Sequence, residues 1–300
     1  MSIPVDRARF EGVFSLLLTP FLKSGEIDWK TYERYVEWQL AKVPNGLFAV
    51  CGSSDMKWLT LAERLELARI AVRIAGDVPV VATGNLLPDP VDHLQEVRQM
   101  AETGVAAVVL VPPTGMGADQ VRLGQHFAWL AEGADCPVIV YEWPHVQPYL
   151  LDAGVYAELV RQNGIIGIKD TTCTIEGISA KLAAAPESVV YQANHLFMLD
   201  AIRRGARGIM AISTAANAEL VVDFWKSAIA CDASAEAKHR TLVTLDNLLI
   251  HQGGYNATAK LLARLQGMDL GLVCRSPIVL RSETVKAVEL WFESEYTSQS

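Results

Sequence analysis

Cysteine is scarce in this 300-residue chain: Cys51, Cys136, Cys173, Cys231 and Cys274 make five, an odd number, with no C-x-x-C pair. That excludes a disulfide framework and fits free thiols in a reducing compartment. Basic charge is also short, with 26 Lys and Arg against 34 Asp and Glu for a net charge of -8. Nucleic acid is therefore not an expected partner, because phosphate binding needs a basic surface. No apolar run approaches the length of a membrane span. The opening residues Met1–Arg9 lack an apolar signal core. A cytoplasmic protein with no membrane partner is expected. The six histidines are scattered without H-E-x-x-H or paired spacing, so no metal site is expected. There is no G-x-S-x-G elbow, which disfavours a hydrolase triad. The tryptophans Trp29, Trp38, Trp129 and Trp225 fall in helical segments, as core or interface residues do.

What the chain does have is hydrophobic residues, 51% of the total. Short, near-continuous apolar runs recur at Gly12–Thr19, Gly46–Val50, Val78–Ala82, Ala106–Val111, Pro137–Tyr141, Ile165–Lys169, Ser188–Gln192 and Gly208–Ile212. Their starts are roughly 20–35 residues apart, the size of a strand plus a crossover helix. Unbroken apolar character suits parallel strands buried on both faces. The segments between them have helical period: Asp28–Ala41, Leu61–Ile74, Asp89–Thr103 and Leu196–Arg204. Eight strands alternating with helices predict a (β/α)8 TIM barrel. An open doubly wound sheet would carry a glycine-rich phosphate turn after its first strand, where Thr19-Pro20-Phe21 stands. After about residue 218 the strand signal stops. Ala218–Ile229 completes the barrel, and Ser234–His251, Tyr255–Leu265 and Ser282–Glu293 form a C-terminal helical extension. The expected division is a catalytic barrel over 1–230 and the extension over 231–300.

Active sites of such barrels lie at the C-terminal ends of the strands. The polar residues there include Thr19, Ser53, Ser54, Tyr141, Glu142, Lys169, Asp170, Thr171, Asn194, His195, Ser213 and Thr214. Alternation puts Ile139 and Tyr141 on one face of the fifth strand, and Ile165, Gly167 and Lys169 on one face of the sixth. With both faces inward, Tyr141 and Lys169 are neighbours. A poorly solvated amine loses affinity for its proton and becomes a nucleophile toward carbonyls. A phenol beside it suits a proton shuttle. Cys51-Gly52-Ser53-Ser54 offers two hydroxyls and a turn of N–H groups to a carboxylate. The same four residues also make an ordinary Gly-Ser turn.

The chain resembles the dihydrodipicolinate synthase/N-acetylneuraminate lyase family of class I aldolase barrels over essentially its whole length. The matching motifs are Leu18-Thr19-Pro20-Phe21, Gly52-Ser53-Ser54, Val138-Ile139-Val140-Tyr141 with Pro144, Gly167-Ile168-Lys169-Asp170, and the late Lys260 with Arg275-Ser276-Pro277. The resemblance implies that Lys169 forms the Schiff base with pyruvate or a 2-oxo acid. It further implies that Tyr141 is the general acid/base and that Ser53 and Ser54 bind the carboxylate. No metal or dissociable cofactor is implied. The assembly implied is a homotetramer.

The departures are equally specific. The family's Gly-Glu after the Gly-Thr-Thr run is Asp55-Met56 here. Pro112-Pro113 leads into Thr114-Gly115, without the aromatic pair that lends a tyrosine to a neighbouring subunit. Val146 stands where dihydrodipicolinate synthases carry a carboxylate-clamping arginine, with Glu142 and His145 as new polar groups. The expected substrate is therefore a 2-keto-3-deoxy sugar acid, its tail read by Glu142 and His145, with Thr19, Thr171 and Ser213 also lining the site. A dihydrodipicolinate synthase proper and an altered member that only binds a small 2-oxo acid stay open at this stage.

Overall fold

Eight strands, β1 (Gly12–Leu16), β2 (Gly46–Val50), β3 (Val80–Thr83), β4 (Ala107–Leu110), β5 (Val138–Tyr141), β6 (Ile165–Asp170), β7 (Val189–Gln192) and β8 (Gly208–Ile209), pair in parallel in chain order in the computed structural model. The first pairs with the last, Gly12 with Gly208 and Val13 with Ile209, which closes the barrel. The structure describes residues 6–251, 254–278 and 280–297. The connecting helices are α1 (Trp29–Leu40), α2 (Leu61–Ala75), α3 (His93–Ala101), α4 (Gln120–Glu132), α5 (Ala153–Gln162), α6 (Ile175–Ala184), α7 (Met198–Arg203) and α8 (Ser213–Ile229). Three more follow: α9 (Ala235–Asp246), α10 (Tyr255–Leu265) and α11 (Ser282–Thr297). Among the described residues no helix is long and apolar enough to cross a membrane.

The sequence-based boundaries shift where polar side chains compete with the backbone. β8 stops at Ile209, not Ile212, and α8 begins at Ser213, before the expected Ala218. Thr214 causes both changes: its hydroxyl donates to the Ala211 carbonyl at 2.7 Å and accepts from Leu16 N–H at 2.9 Å. Asn217, at φ -150° and ψ 67°, kinks the helix where the earlier start joins the predicted one. The stretch after Asp89 opens with a tight turn, Pro90–Asp92, before α3. The long helix expected to reach His251 ends at Asp246 and widens into one π turn, Asn247–His251.

Large rings fill the barrel floor because small residues face them. A Cβ on Gly46 would stand 2.3 Å from the Phe14 ring, and one on Gly208 would stand 2.3 Å from the Tyr191 ring. Phe14 and Tyr191 meet edge to face at 5.5 Å. The floor is thus solid, and chemistry is confined to the opposite end of the strands.

The C-terminal elements are tied to that end through Asp55. This residue follows β2 and adopts the left-handed conformation, φ 59° and ψ 29°, which Asp tolerates better than most residues. Its carboxylate accepts from Asn256 Nδ2 on α10 at 2.5 Å, from Ser276 Oγ at 2.7 Å and from Arg275 N–H at 3.1 Å. Arg275 in turn grips Glu63 of α2 with both guanidinium nitrogens, at 2.7 and 2.8 Å. That bond, the largest influence on Glu63, holds its carboxyl down at about 2. Asp55→Ala would strip three donors of their acceptor, two of them on buried side chains. It is expected to lower the unfolding free energy by roughly 2–4 kcal/mol in urea melts, with a smaller loss for Asp55→Asn. A loss within experimental error would show that the C-terminal segment is held by other contacts.

Candidate active site

Register brings the two central residues together. β5 and β6 pair Ile139 with Gly167 and Tyr141 with Lys169, so the Tyr141 and Lys169 side chains project from adjacent strands into the barrel mouth. Lys169 Nζ lies 4.2 Å from the Tyr141 ring centroid and 5.3 Å from that of Phe48. Among the described residues the amine has no hydrogen-bond or ion-pair partner, and Lys169 is only 3% exposed. Burial pulls its pKa down to about 8, with Cys51 opposing. Burial also raises the Tyr141 phenol well above its ordinary value, reinforced by Tyr255 and Cys51. The amine is therefore partly neutral near pH 7 and the phenol keeps its proton. That combination suits attack on a carbonyl with a proton donor alongside.

Glu142 and Asp170, one residue further along each strand, face the opposite way. Lys181 of α6 lies between them, 2.7 Å from Glu142 Oε1 and 2.8 Å from Asp170 Oδ2. Glu142 also accepts from Leu151 N–H at 2.9 Å and Thr171 N–H at 3.1 Å. Glu142 is 1% exposed, and burial raises the pKa of its carboxyl. The expectation that Glu142 reads the substrate tail is thus corrected, since strand alternation turns it away from the mouth and burial forces it to find a cation. Thr171 is corrected with it, because its hydroxyl donates to the Glu142 carbonyl. Ser213 is corrected as well. Its hydroxyl lies 2.6 Å from His195 Nε2, and both residues are fully buried. His195 Nδ1 stands 2.7 Å from Asp246 Oδ1 but out of line for a hydrogen bond. This sealed group joins the end of β7 to α9.

The turn after β2 divides its two serines. The Ser54 hydroxyl accepts from Cys51 N–H at 3.0 Å and lies 2.8 and 2.9 Å from the Leu17 and Ala49 carbonyls. With one proton to give, it is fully engaged by the backbone. Thr19 supports the same turn from below, donating to the Ser54 carbonyl at 2.8 Å. The Ser53 hydroxyl has no partner among the described residues and remains open to a ligand.

Three aromatic groups complete the mouth. A Cβ placed on Gly52 would stand 3.4 Å from Trp143 Nε1, 3.5 Å from Tyr255 Oη and 3.6 Å from Tyr141 Oη. Trp143 is 5% exposed and its indole N–H has no acceptor among the described residues. His145, an expected site residue, sits exposed above them with Nε2 3.1 Å from Tyr255 Oη. Burial and the nearby Lys57 lower its pKa, so it is neutral at pH 7. Trp143 was within reach of sequence reasoning, two residues beyond Tyr141 on the same alternation. Tyr255 carries no such signal, because only the fold of α10 brings it to the mouth. Among the described residues no group of three or more His, Cys, Asp or Glu is arranged to hold a metal.

Residues 9–289 match the dihydrodipicolinate synthetase family. The 4-hydroxy-tetrahydrodipicolinate synthase of Pseudomonas savastanoi pv. phaseolicola is 27% identical over 277 residues, covering 91% of this chain and 93% of that protein. The enzyme of the same name from Bdellovibrio bacteriovorus is 27% identical over 241 residues, covering 79% and 82%. YagE, a prophage protein of the dihydrodipicolinic acid synthase family from E. coli K12 solved in complex with pyruvate, superposes with a TM-score of 0.88 at 19% identity, covering 95% of this chain and 98% of that one. At that identity the last likeness speaks for the fold alone.

The buried amine has a measurable cost. With a folded pKa of about 8 against an ordinary 10.5, the unfolded chain holds more protons between those two values. The contribution of Lys169 to stability therefore rises with pH across that window, is least favourable below pH 8 and levels off above 10.5. Lys169→Met keeps the bulk without the charge. It is expected to raise the unfolding free energy at pH 7 by roughly 2–4 kcal/mol. The advantage should close as urea melts move from pH 8 to 10.5. A gap independent of pH would show that the amine is well solvated.

Proposed function

Because this chain belongs to the dihydrodipicolinate synthetase family and is a lyase, we propose that Lys169 forms a Schiff base with a 2-oxo acid and that the substrate is a 2-keto-3-deoxy acid with a neutral, hydroxylated tail. The observation that carries the first part is the buried, unpaired Lys169 amine in register with Tyr141. The amine adds to the C2 carbonyl, Tyr141 gives a proton to the departing hydroxyl, and water leaves. The imine then draws electrons from the neighbouring carbon, so a bond to that carbon or to its substituent is made or broken. The open hydroxyl of Ser53 suits the substrate carboxylate, while Thr19 and Ser54 hold the turn that presents it.

The tail reading rests on the mouth lining. Trp143 offers an indole N–H with no acceptor among the described residues, which suits a hydroxyl, while Tyr255 and His145, paired with each other at 3.1 Å, bring no cation for a second carboxylate. Val146 brings no cation for a second carboxylate, and Arg275 is spent on Glu63. The second reading, 4-hydroxy-tetrahydrodipicolinate synthesis, is favoured by the names of the curated relatives. Rapid condensation of pyruvate with aspartate semialdehyde would establish it over the first. A homotetramer also belongs to this proposal, supported by the family resemblance and by Trp129 and Val121 exposed on α4. Sedimentation showing a monomer would overturn it.

Borohydride reduction in the presence of pyruvate is expected to leave an adduct on Lys169, read by mass spectrometry, and Lys169→Ala should abolish it. Adduct on another lysine, or none, would sink the reading. Tyr141→Phe removes a hydroxyl with no hydrogen-bond partner among the described residues. Turnover should then fall by roughly 10²–10⁴ with little change in melting temperature.

A further inference from the structure

Tyr141 is only 6% exposed, and any proton its hydroxyl takes from a substrate must reach solvent and be replaced. On the side of Gly52, the polar groups beside it are the Trp143 indole N–H and the Tyr255 hydroxyl. An indole only donates, so it cannot relay a proton. A phenol both donates and accepts, and Tyr255 Oη lies 3.1 Å from His145 Nε2. His145 is exposed on the loop after β5, so the chain of groups ends at bulk water. We propose that Tyr255 and His145 form the proton path between Tyr141 and solvent, so that the C-terminal helix α10 supplies a working part of the site from within the same chain.

The step balances without redox change. An oxygen standing over Gly52, from water or substrate, takes the Tyr141 proton and passes its own to Tyr255 Oη. Tyr255 gives its proton to His145 Nε2, and the proton on Nδ1 leaves to water. The reverse sequence returns a proton to Tyr141 and restores the imidazole tautomer. His145 is neutral at pH 7, which leaves Nε2 free to accept. The groups facing the path are Lys57 on the turn after β2, which adds to burial in lowering the His145 pKa, and Cys51 and Asp55, which add to burial in raising that of the Tyr255 phenol. Trp143 packs on the imidazole with centroids 5.3 Å apart and fixes its orientation.

This inference rests on the Schiff-base reading, and one experiment separates the two. Exchange of the pyruvate C3 protons in deuterium oxide, followed by NMR on the full chain, needs both imine formation and proton return. Borohydride trapping needs the imine alone. Tyr255→Phe and His145→Gln are each expected to be trapped on Lys169 to the same final extent as the unmodified chain. Both should exchange at least about tenfold more slowly. His145→Gln should also lose the imidazole limb of the pH–rate profile, and added imidazole should restore part of its rate. His145→Gln alters an exposed residue, so it keeps the test open if Tyr255→Phe folds poorly. Normal trapping with unchanged exchange rate and pH profile in both variants would overturn the relay and leave the Schiff base standing. An unmodified chain that traps no pyruvate would overturn both.

Discussion

Lys181 is the constraint on which the site depends. β5 and β6 can present Tyr141 and Lys169 inward only if Glu142 and Asp170, one residue further along each strand, are satisfied outward. Both carboxylates are buried, and a buried unpaired carboxylate costs several kcal/mol. A single ammonium between them, with N–H groups from Leu151, Thr171 and Thr172, makes the arrangement tenable. It also pins the two strand ends to α6, which fixes where the backbone of Lys169 stands. Lys169 and Lys181 are both almost fully buried, with opposite outcomes. At Lys169 burial prevails over the opposing influence of Cys51 and lowers its pKa. At Lys181 burial acts in the same direction, but Glu142 and Asp170 outweigh it and raise the value. One lysine is a fixed cation that organises the strands; the other, which we propose as the nucleophile, has no such partner among the described residues.

The barrel and its central pair were legible because they rest on local periodicity. Period-two alternation puts Tyr141 and Lys169 on the inner faces, and the register bears this out. The same alternation puts Glu142 on the outer face. Reading it as a mouth residue treated the strand end as a loop, and its partner Lys181 lies on a different element with no local sign of the pairing. The Ser54 hydroxyl is occupied for a similar reason, since a hydroxyl in a tight turn finds backbone carbonyls before it finds a ligand. Ser213 opens an early helix where a strand was expected to reach Ile212, and there its hydroxyl meets His195.

What remained illegible is what long-range packing assembles. Tyr255 and Asn256 open α10, and nothing in their neighbourhood distinguishes them from other helix starts. They matter because Asp55, in its left-handed turn, captures Asn256 while the Tyr255 hydroxyl falls beside Gly52. Asp55 stands where the resembled family has a glycine, and it adopts the left-handed backbone that glycine takes freely. The substitution thus keeps the turn and adds a carboxylate, and that carboxylate reaches Asn256, Arg275 and Ser276 across the chain. A departure that looked like a loss in the sequence is the anchor of the C-terminal segment in the fold. The absent aromatic pair after β4 leaves room for the same logic: the mouth is closed by α10, an element of the chain's own, whose position depends on that anchor. The turn after β2, the loop after β5 and the start of α10 are therefore one unit, and a change at Asp55 reaches the environment of Tyr141 through Tyr255 without touching either strand.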